Sequence, residues 1–361
     1  MINEVEVLLP KDKNEIITKN FLNAFELSLF KKNSLNIEFN INTYKNKKEL
    51  NDIIDKTKKP GKIYVGPISS DDSKDINRWC SSGVIFFSFA SDRSIGSDCV
   101  YLINFFPEDE INALFDFFSL DSKIALLYPE NEYGNYINSI IDQIAIKNNI
   151  IIVNKVSYKE DLTNARNSIK KLSKYEDRRK ELERQKKLLE GKNDEISIRA
   201  LKKIKKFETI GELDFTHIIL PDYNVRLLEI APLLPFYDID PNKIQFVGTG
   251  VWDDGIFFDE PSLQGAIFPG INLEKRKIFM DEYSNVFNLR PIRTITIIHD
   301  LVGILDYIYL KNLNLEETFD LLNNPQVSFE GLDGFFKFKN NLVTRELEIL
   351  KIKKGTANSV R

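Results

Sequence analysis

The sequence predicts an α/β protein of two lobes, each built on a parallel sheet covered by helices on both faces. Short β-rich apolar runs alternate with amphipathic helical stretches through most of the chain. The alternation restarts at Lys123, so one α/β series follows another. A length of 361 residues suits two domains of ordinary size.

In the first series, strands are expected at Glu4–Pro10, Leu35–Tyr44, Lys62–Pro67, Gly83–Phe89 and Val100–Phe106. Helices are expected between them, near Asn14–Phe30, Lys47–Lys58 and Asp71–Ser81. The next helix opens at Pro107-Glu108-Asp109-Glu110, where proline and acidic residues suit a first turn. The second series starts with the strand Lys123–Pro129 and a helix from Tyr133 to about Asn149. It continues through strands at Ile150–Tyr158, Phe215–Asp222 and Gln245–Gly250. Helices at Glu274–Asn288 and Thr294–Lys311 follow, then a late hairpin of Phe335–Lys339, the turn Asn340-Asn341 and Leu342–Ile352. Helices that return after the second series need a sheet to cover. The expected division is therefore 1–120 with 271–336 for the first lobe, and 121–270 with 337–361 for the second.

Between Asn167 and Glu212 the pattern changes. Lys, Arg and Glu dominate from Lys170 to Lys206, with leucines at helical spacing and a single glycine, Gly191. A helical hairpin turning near Gly191-Lys192-Asn193-Asp194 is expected. It reads either as a solvated insertion supported by local charge pairs or as a protruding arm that meets a partner. Its apolar stripe is too thin to join a core, so it should pack mainly on itself.

Hydrophobic residues make up 42% and charged residues 29%, the balance of a chain able to bury a real core. A formal net charge of −4 gives no global electrostatic reason to bind nucleic acid. No run of 18 apolar residues occurs, and the amino terminus enters a strand directly. A cytoplasmic protein or one whose export signal was removed both fit. Cys80 and Cys99 are the only cysteines; buried free thiols are the default, and a disulfide is the alternative in an oxidising compartment.

The chemistry on offer is binding. His217 and His299 fall inside a strand and a helix, where such a residue is more often a satisfied core or boundary residue than a catalyst. Gly-x-Ser-x-Gly, Walker-type and Gly-x-Gly-x-x-Gly motifs do not occur, so no catalytic residue, cofactor or metal is expected. Instead, strand ends carry small polar and aromatic residues: Ser69 and Ser70, Ser91 and Asp92, Tyr133, Tyr223, then Trp252 and Asp253. Open α/β sheets bind ligands at the carboxyl ends of their strands, so these eight residues are the expected lining of a cleft between the lobes. Helix capping and turn formation account for several of them without a ligand.

Several segments, in order, resemble the type I periplasmic-binding-protein superfamily of the leucine/isoleucine/valine-binding kind. They are Val65-Gly66-Pro67, Phe87–Arg93, Tyr128–Gly134, Ala231–Asp238, Gly248–Asp254 and Phe329–Phe338. The resemblance extends to its penicillin-binding protein activator (LppC-type) branch, which carries a charged insertion at the same place. It implies two Rossmann-like lobes joined by three crossover strands. It also implies a periplasmic location, with the signal or lipoprotein anchor removed. Ala90-Ser91 and Tyr133 match positions where amino-acid-binding relatives hold the ligand. The loop after the third strand begins Gly66-Pro67-Ile68, which leaves Ser69 and Ser70 displaced. No acidic residue in Gly248-Thr249-Gly250 can take an ammonium group, so Asp253 or Asp254 would have to serve. On that balance the first expectation is a non-enzymatic regulator of a cell-wall synthase (a penicillin-binding protein). The alternative is a receptor that passes an amino acid or similar small polar ligand to an ABC-transporter permease. Neither reading involves nucleic acid, and membrane association would come only through a lipid anchor that this chain lacks.

Overall fold

The structure, a computed structural model, describes residues 4–11, 15–32 and 37–360. The chain divides into two units, Met1–Asp109 with Ile271–Leu347 and Glu110–Gly270 with Glu348–Arg361, and passes from one to the other three times.

Unit 1 opens with β1 (Glu4–Pro10), α1 (Glu15–Lys31), β2 (Glu38–Tyr44), α2 (Lys47–Thr57), β3 (Ile63–Val65), α3 (Ser70–Ser73), β4 (Ile85–Ser88) and β5 (Val100–Leu102). The chain then enters unit 2 within α4 (Pro107–Phe117). There it forms β6 (Lys123–Pro129), α5 (Glu132–Asn148), β7 (Ile151–Tyr158), α6 (Ala165–Leu172), α7 (Tyr175–Leu189) and α8 (Glu195–Ile204). β8 (His217–Ile219), α9 (Asn224–Ile230), β9 (Gln245–Val247) and β10 (Ile267–Gly270) follow. Unit 1 resumes with α10 (Glu274–Phe287), α11 (Ile295–Leu310), α12 (Leu315–Asn323), β11 (Phe329–Gly331), β12 (Gly334–Lys339) and β13 (Leu342–Arg345). β14 (Glu348–Lys353) and β15 (Thr356–Ser359) return to unit 2.

The unit 1 sheet runs β11-β12-β13-β5-β4-β3-β1-β2, parallel from β13 to β2 with an antiparallel edge. β3, β4 and β5 are buried at every residue, as strands covered on both faces must be. One covering layer contains α1, α10 and α11, whose Phe21, Phe25, Phe279, Tyr283 and Leu301 join the larger apolar cluster. α2 shows how such a helix is specified. Asn46 caps it by accepting the Glu49 N–H at 3.0 Å, and Leu50 and Ile54, one turn apart, are fully buried. Burying each side chain is worth roughly 1.5–3 kcal/mol.

The unit 2 sheet runs β15-β14-β10-β9-β8-β6-β7, parallel from β10 to β7. α5 covers one face through Ile137, Ile140, Ile141 and Ile144. α6 and the turns around Ala231–Tyr237 cover the other.

The lobe boundaries of the sequence reading are corrected by these pairings. β12 and β13 hydrogen-bond into the unit 1 sheet, so the last passage falls at Leu347, after 336. α4 packs Ile111, Leu114 and Phe115 against unit 2 strands, so the first passage falls at Asp109, before 120. Two further expectations change. The helix expected at Asp71–Ser81 is α3 followed by a 3-10 helix, Ile76–Ser82, because Asp75 takes a left-handed conformation with φ 70°. The strand expected at Val100–Phe106 stops at Leu102 because the Asn104 side chain bonds the Phe89 carbonyl at 2.7 Å and the Phe105 N–H at 2.8 Å. Asn14, Leu35 and Asn36 lie outside the described residues.

Cys80 and Cys99 form a disulfide with Cα atoms 5.3 Å apart, which corrects the free-thiol reading. The charged segment does fold as a hairpin. α7 and α8 pack together through Leu182 and Ile204, and Gly191, with φ 87°, makes the turn. Its core-facing base begins later than 167, since Ala165, Ile169 and Leu172 of α6 belong to the unit 2 core. Tyr175 and Arg178 anchor it there: the phenol donates to Glu208 at 3.0 Å, and Arg178 donates to the Gly211 carbonyl and pairs with Asp238.

Unit 1 also buries an ion network. Arg345 pairs with Asp300 at 2.8 Å, and Arg276 with Asp333, which also accepts from Thr296 at 2.7 Å. The Leu332 N–H donates to Asp300 at 2.6 Å. Arg276, Arg293 and Arg345 all lie over the Phe105 ring, at 5.9, 4.1 and 5.5 Å from its centroid. Burial, and then the charge of Asp333, hold the Asp300 carboxyl above its ordinary range, with Arg345 opposing in part.

Candidate functional site

In unit 1 the polar residues gather where β3 and β4 end. Ser69 caps α3, accepting the Asp72 N–H at 3.1 Å while its hydroxyl donates to the Asp72 carboxylate at 2.9 Å. The buried Tyr44 phenol donates to the same carboxylate oxygen at 3.0 Å, and burial beside that charge pushes its pKa up. Ser69 is thereby committed to structure. Ser70 Oγ accepts the N–H groups of Ser91 and Asp92, at 3.2 and 3.1 Å, and lies 3.4 Å from Ser91 Oγ. One hydroxyl thus joins the two strand-end loops and leaves Ser91 exposed beside it. The Asp92 carboxylate turns back to accept from the Ser94 N–H and hydroxyl, at 3.0 and 2.6 Å.

In unit 2 the ends of β6, β8 and β9 bring together Tyr133, Tyr223 and Thr249. The Tyr133 hydroxyl and Thr249 Oγ1 are 2.7 Å apart, and the two tyrosine rings meet edge to face at 5.8 Å. Arg226 lies over Tyr223 at 5.6 Å. Beneath this group Asp222, 1% exposed, accepts from the Tyr158 phenol at 2.5 Å, the Tyr223 N–H at 2.8 Å and Arg226 at 2.9 Å. That carboxylate is spent on internal partners. Glu110, also buried, accepts the Gly250 N–H at 2.8 Å and so occupies the donor at the start of the glycine-rich loop.

Trp252 requires a correction. Its indole is fully buried in the unit 2 core, donates to the Asp222 carbonyl at 3.0 Å, and cannot line an open wall. Gly248 explains the placement, because a Cβ there would sit 2.0 Å from the indole ring. The loop folds its tryptophan inward under its own glycine. Asp253, half-buried, ends the 3-10 turn Gly250–Trp252.

Thus the structure unites Ser70, Ser91 and Asp92 in one unit, and Tyr133 and Tyr223 in the other. Thr249, Glu110 and Arg226 are the neighbours that the sequence reading missed. Thr249 was legible as a polar residue at the carboxyl end of an expected strand. Glu110 and Arg226 lie 140 residues before Gly250 and four after Asp222, and only the fold relates them to the site. No group of three or more His, Cys, Asp or Glu side chains able to hold a metal occurs among the described residues. His217 is partly buried beside Thr216 and the Phe118 ring, and burial lowers its pKa.

This architecture is the type I periplasmic-binding-protein fold. It is shared at full length with a Rhodospirillum rubrum protein described as a branched-chain amino acid ABC transporter (TM-score 0.72, 14% identity, covering 100% of both chains). A solute-binding protein of an ABC transporter from Rhodopseudomonas palustris, solved with 3,4-dihydroxybenzoic acid, matches with a TM-score of 0.66 at 12% identity, over 99% of this chain and 95% of its own. The branched-chain amino acid substrate-binding protein of Streptococcus pneumoniae, solved with isoleucine, matches with a TM-score of 0.62 at 15% identity, over 99% and 98%. No protein-family model and no curated protein matches the sequence.

Proposed function

We propose that this protein is a solute-binding receptor for a small carboxylate-bearing ligand, an amino acid or an aromatic acid, which it delivers to an ABC-transporter permease. The Tyr133–Thr249–Tyr223 group carries the reading: two aromatic rings and three hydroxyls at strand carboxyl ends. Tyr133 and Tyr223 of unit 2 are the proposed contacts, and the buried Thr249 orients the Tyr133 hydroxyl. The Asp222 carboxylate is balanced by Arg226 and holds the Tyr158 phenol, and an aromatic acid needs no anionic partner. The disulfide supports an exported, periplasmic setting.

The test is a thermal-shift and calorimetric screen of branched-chain amino acids, benzoate and 3,4-dihydroxybenzoate. A ligand at 100 times its Kd adds about 2.7 kcal/mol of stability. Tyr133→Phe and Tyr223→Phe should each weaken the hit about tenfold, the worth of one hydrogen bond. A silent screen, or affinity indifferent to both substitutions, would remove the receptor reading. The second reading is an envelope regulator of a cell-wall synthase, like the penicillin-binding protein activators; the charged hairpin is the observation in its favour, and synthase pull-down is its test.

A further inference from the structure

The α7–α8 hairpin departs in charge from the protein that carries it. Lys174–Lys206 holds thirteen Lys and Arg against seven Asp and Glu, in a chain of formal net charge −4. The two helices differ in how that charge is spent. On α7, Glu181 pairs with Arg184 at 2.6 Å and Glu183 with Lys186 at 2.9 Å, so much of its charge is balanced locally. On α8 the single acid, Glu195, pairs with Arg199. Lys202, Lys203, Lys205 and Lys206 are exposed, and no ion pair among the described residues engages them. Ser197 and Ile204 are the buried side of α8, so Arg199, Lys202 and Lys206 project from the opposite side.

Exposed apolar side chains accompany the lysines. Ile196 is 82% exposed, Leu188 55% and Ile198 53%, and all three lie within two helical turns of the hairpin tip at Gly191. Lysines alone would suit any acidic surface. Isoleucine and leucine near the turn, with unpaired lysines at the other end of α8 and just past it, suit a surface with anionic headgroups above an apolar layer, where the stems and apolar side chains enter and the ammonium groups stay at headgroup level. We propose that the tip and outer face of α8 dock the protein onto an anionic phospholipid bilayer.

The full chain would be sedimented with vesicles of phosphatidylcholine containing about one third phosphatidylglycerol, and with pure phosphatidylcholine vesicles. Binding to the anionic vesicles alone, weakened as salt is raised, is the expected result. Reversing Lys202, Lys203, Lys205 and Lys206 to Glu should lower it at least about a hundredfold, since each lysine contributes near an anionic surface. Ile196→Ser with Ile198→Ser should lower vesicle binding yet leave binding to soluble polyglutamate unchanged. These residues are exposed, and an unchanged melting temperature verifies that each variant is folded. Absence of vesicle binding, equal binding to neutral vesicles, or full retention by the lysine variant would overturn the proposal. So would polyglutamate capture without vesicle binding, which would assign the face to an acidic protein.

Discussion

At the scale of single residues, side chains of the same type were sorted by what lay across from them. Ser69 and Ser70 are neighbours, yet one caps its own helix and the other bridges to Ser91. Both were legible as polar strand-end residues; their separate roles were not, because they depend on the β4 loop arriving beside β3. His299 illustrates a second kind of sorting. It sits in α11 against Ser28 and the Phe279 ring, and burial, then Lys32 and Lys31, lower its pKa to about 4. Glu282 and Asp333 oppose the shift. An unfolded histidine titrates near 6.5, so between roughly pH 6.5 and 4 the unfolded chain binds the proton that the folded chain refuses. The neutral imidazole therefore costs nothing above pH 6.5, and stability should fall by at most about 3 kcal/mol as pH drops to 4. Urea unfolding across that range should show a shallower pH dependence for His299→Gln than for the natural protein. Parallel curves would show that His299 titrates normally.

At the scale of elements, two tethers decide how far the sequence pattern can be trusted. The 3-10 helix Ile76–Ser82 and the residue that leads into β5 are joined by Cys80–Cys99, across a sequence separation of 19. Closing a loop of that size is worth about 3 kcal/mol through the unfolded chain. Cys80→Ser with Cys99→Ser should lose that amount in denaturant unfolding, and reductant should produce the same loss in the natural protein but none in the variant. The hairpin is the other case. Its helices and turn were readable from charge spacing and Gly191, whereas its anchorage through Tyr175 and Arg178 was not. Excising residues 174–206 would strip those anchors from unit 2. Removing only residues 184–201, with a short Gly/Ser closure, should change the melting temperature by a few degrees at most, as measured calorimetrically. A large drop would mean that the outer half of the hairpin supports the core.

At the scale of the whole molecule, the chain passes between its units after Asp109, Gly270 and Leu347. The buried network of unit 1 collects residues close to each passage: Phe105, Arg276 and Arg345, with Asp300 and Asp333 between charges. Removing one member leaves a buried charge without its partner. Arg345→Met should cost about 3–5 kcal/mol in urea unfolding, while Arg345→Met combined with Asp300→Asn should cost less than the single change. An additive double variant would show that the pair is not coupled.

The alternation of apolar strands and amphipathic helices, the restart at Lys123 and the charged hairpin were determined by the sequence itself. Each follows from a periodicity of two or of 3.6 residues, which is written locally. The tertiary structure alone decided which cysteines and carboxylates were already satisfied. Asp222 met Tyr158 and Arg226, Glu110 met Gly250, and Trp252 folded inward beneath Gly248. Whether a polar side chain is available to a ligand depends on partners brought from up to 140 positions away, and burial removes water as a substitute for them.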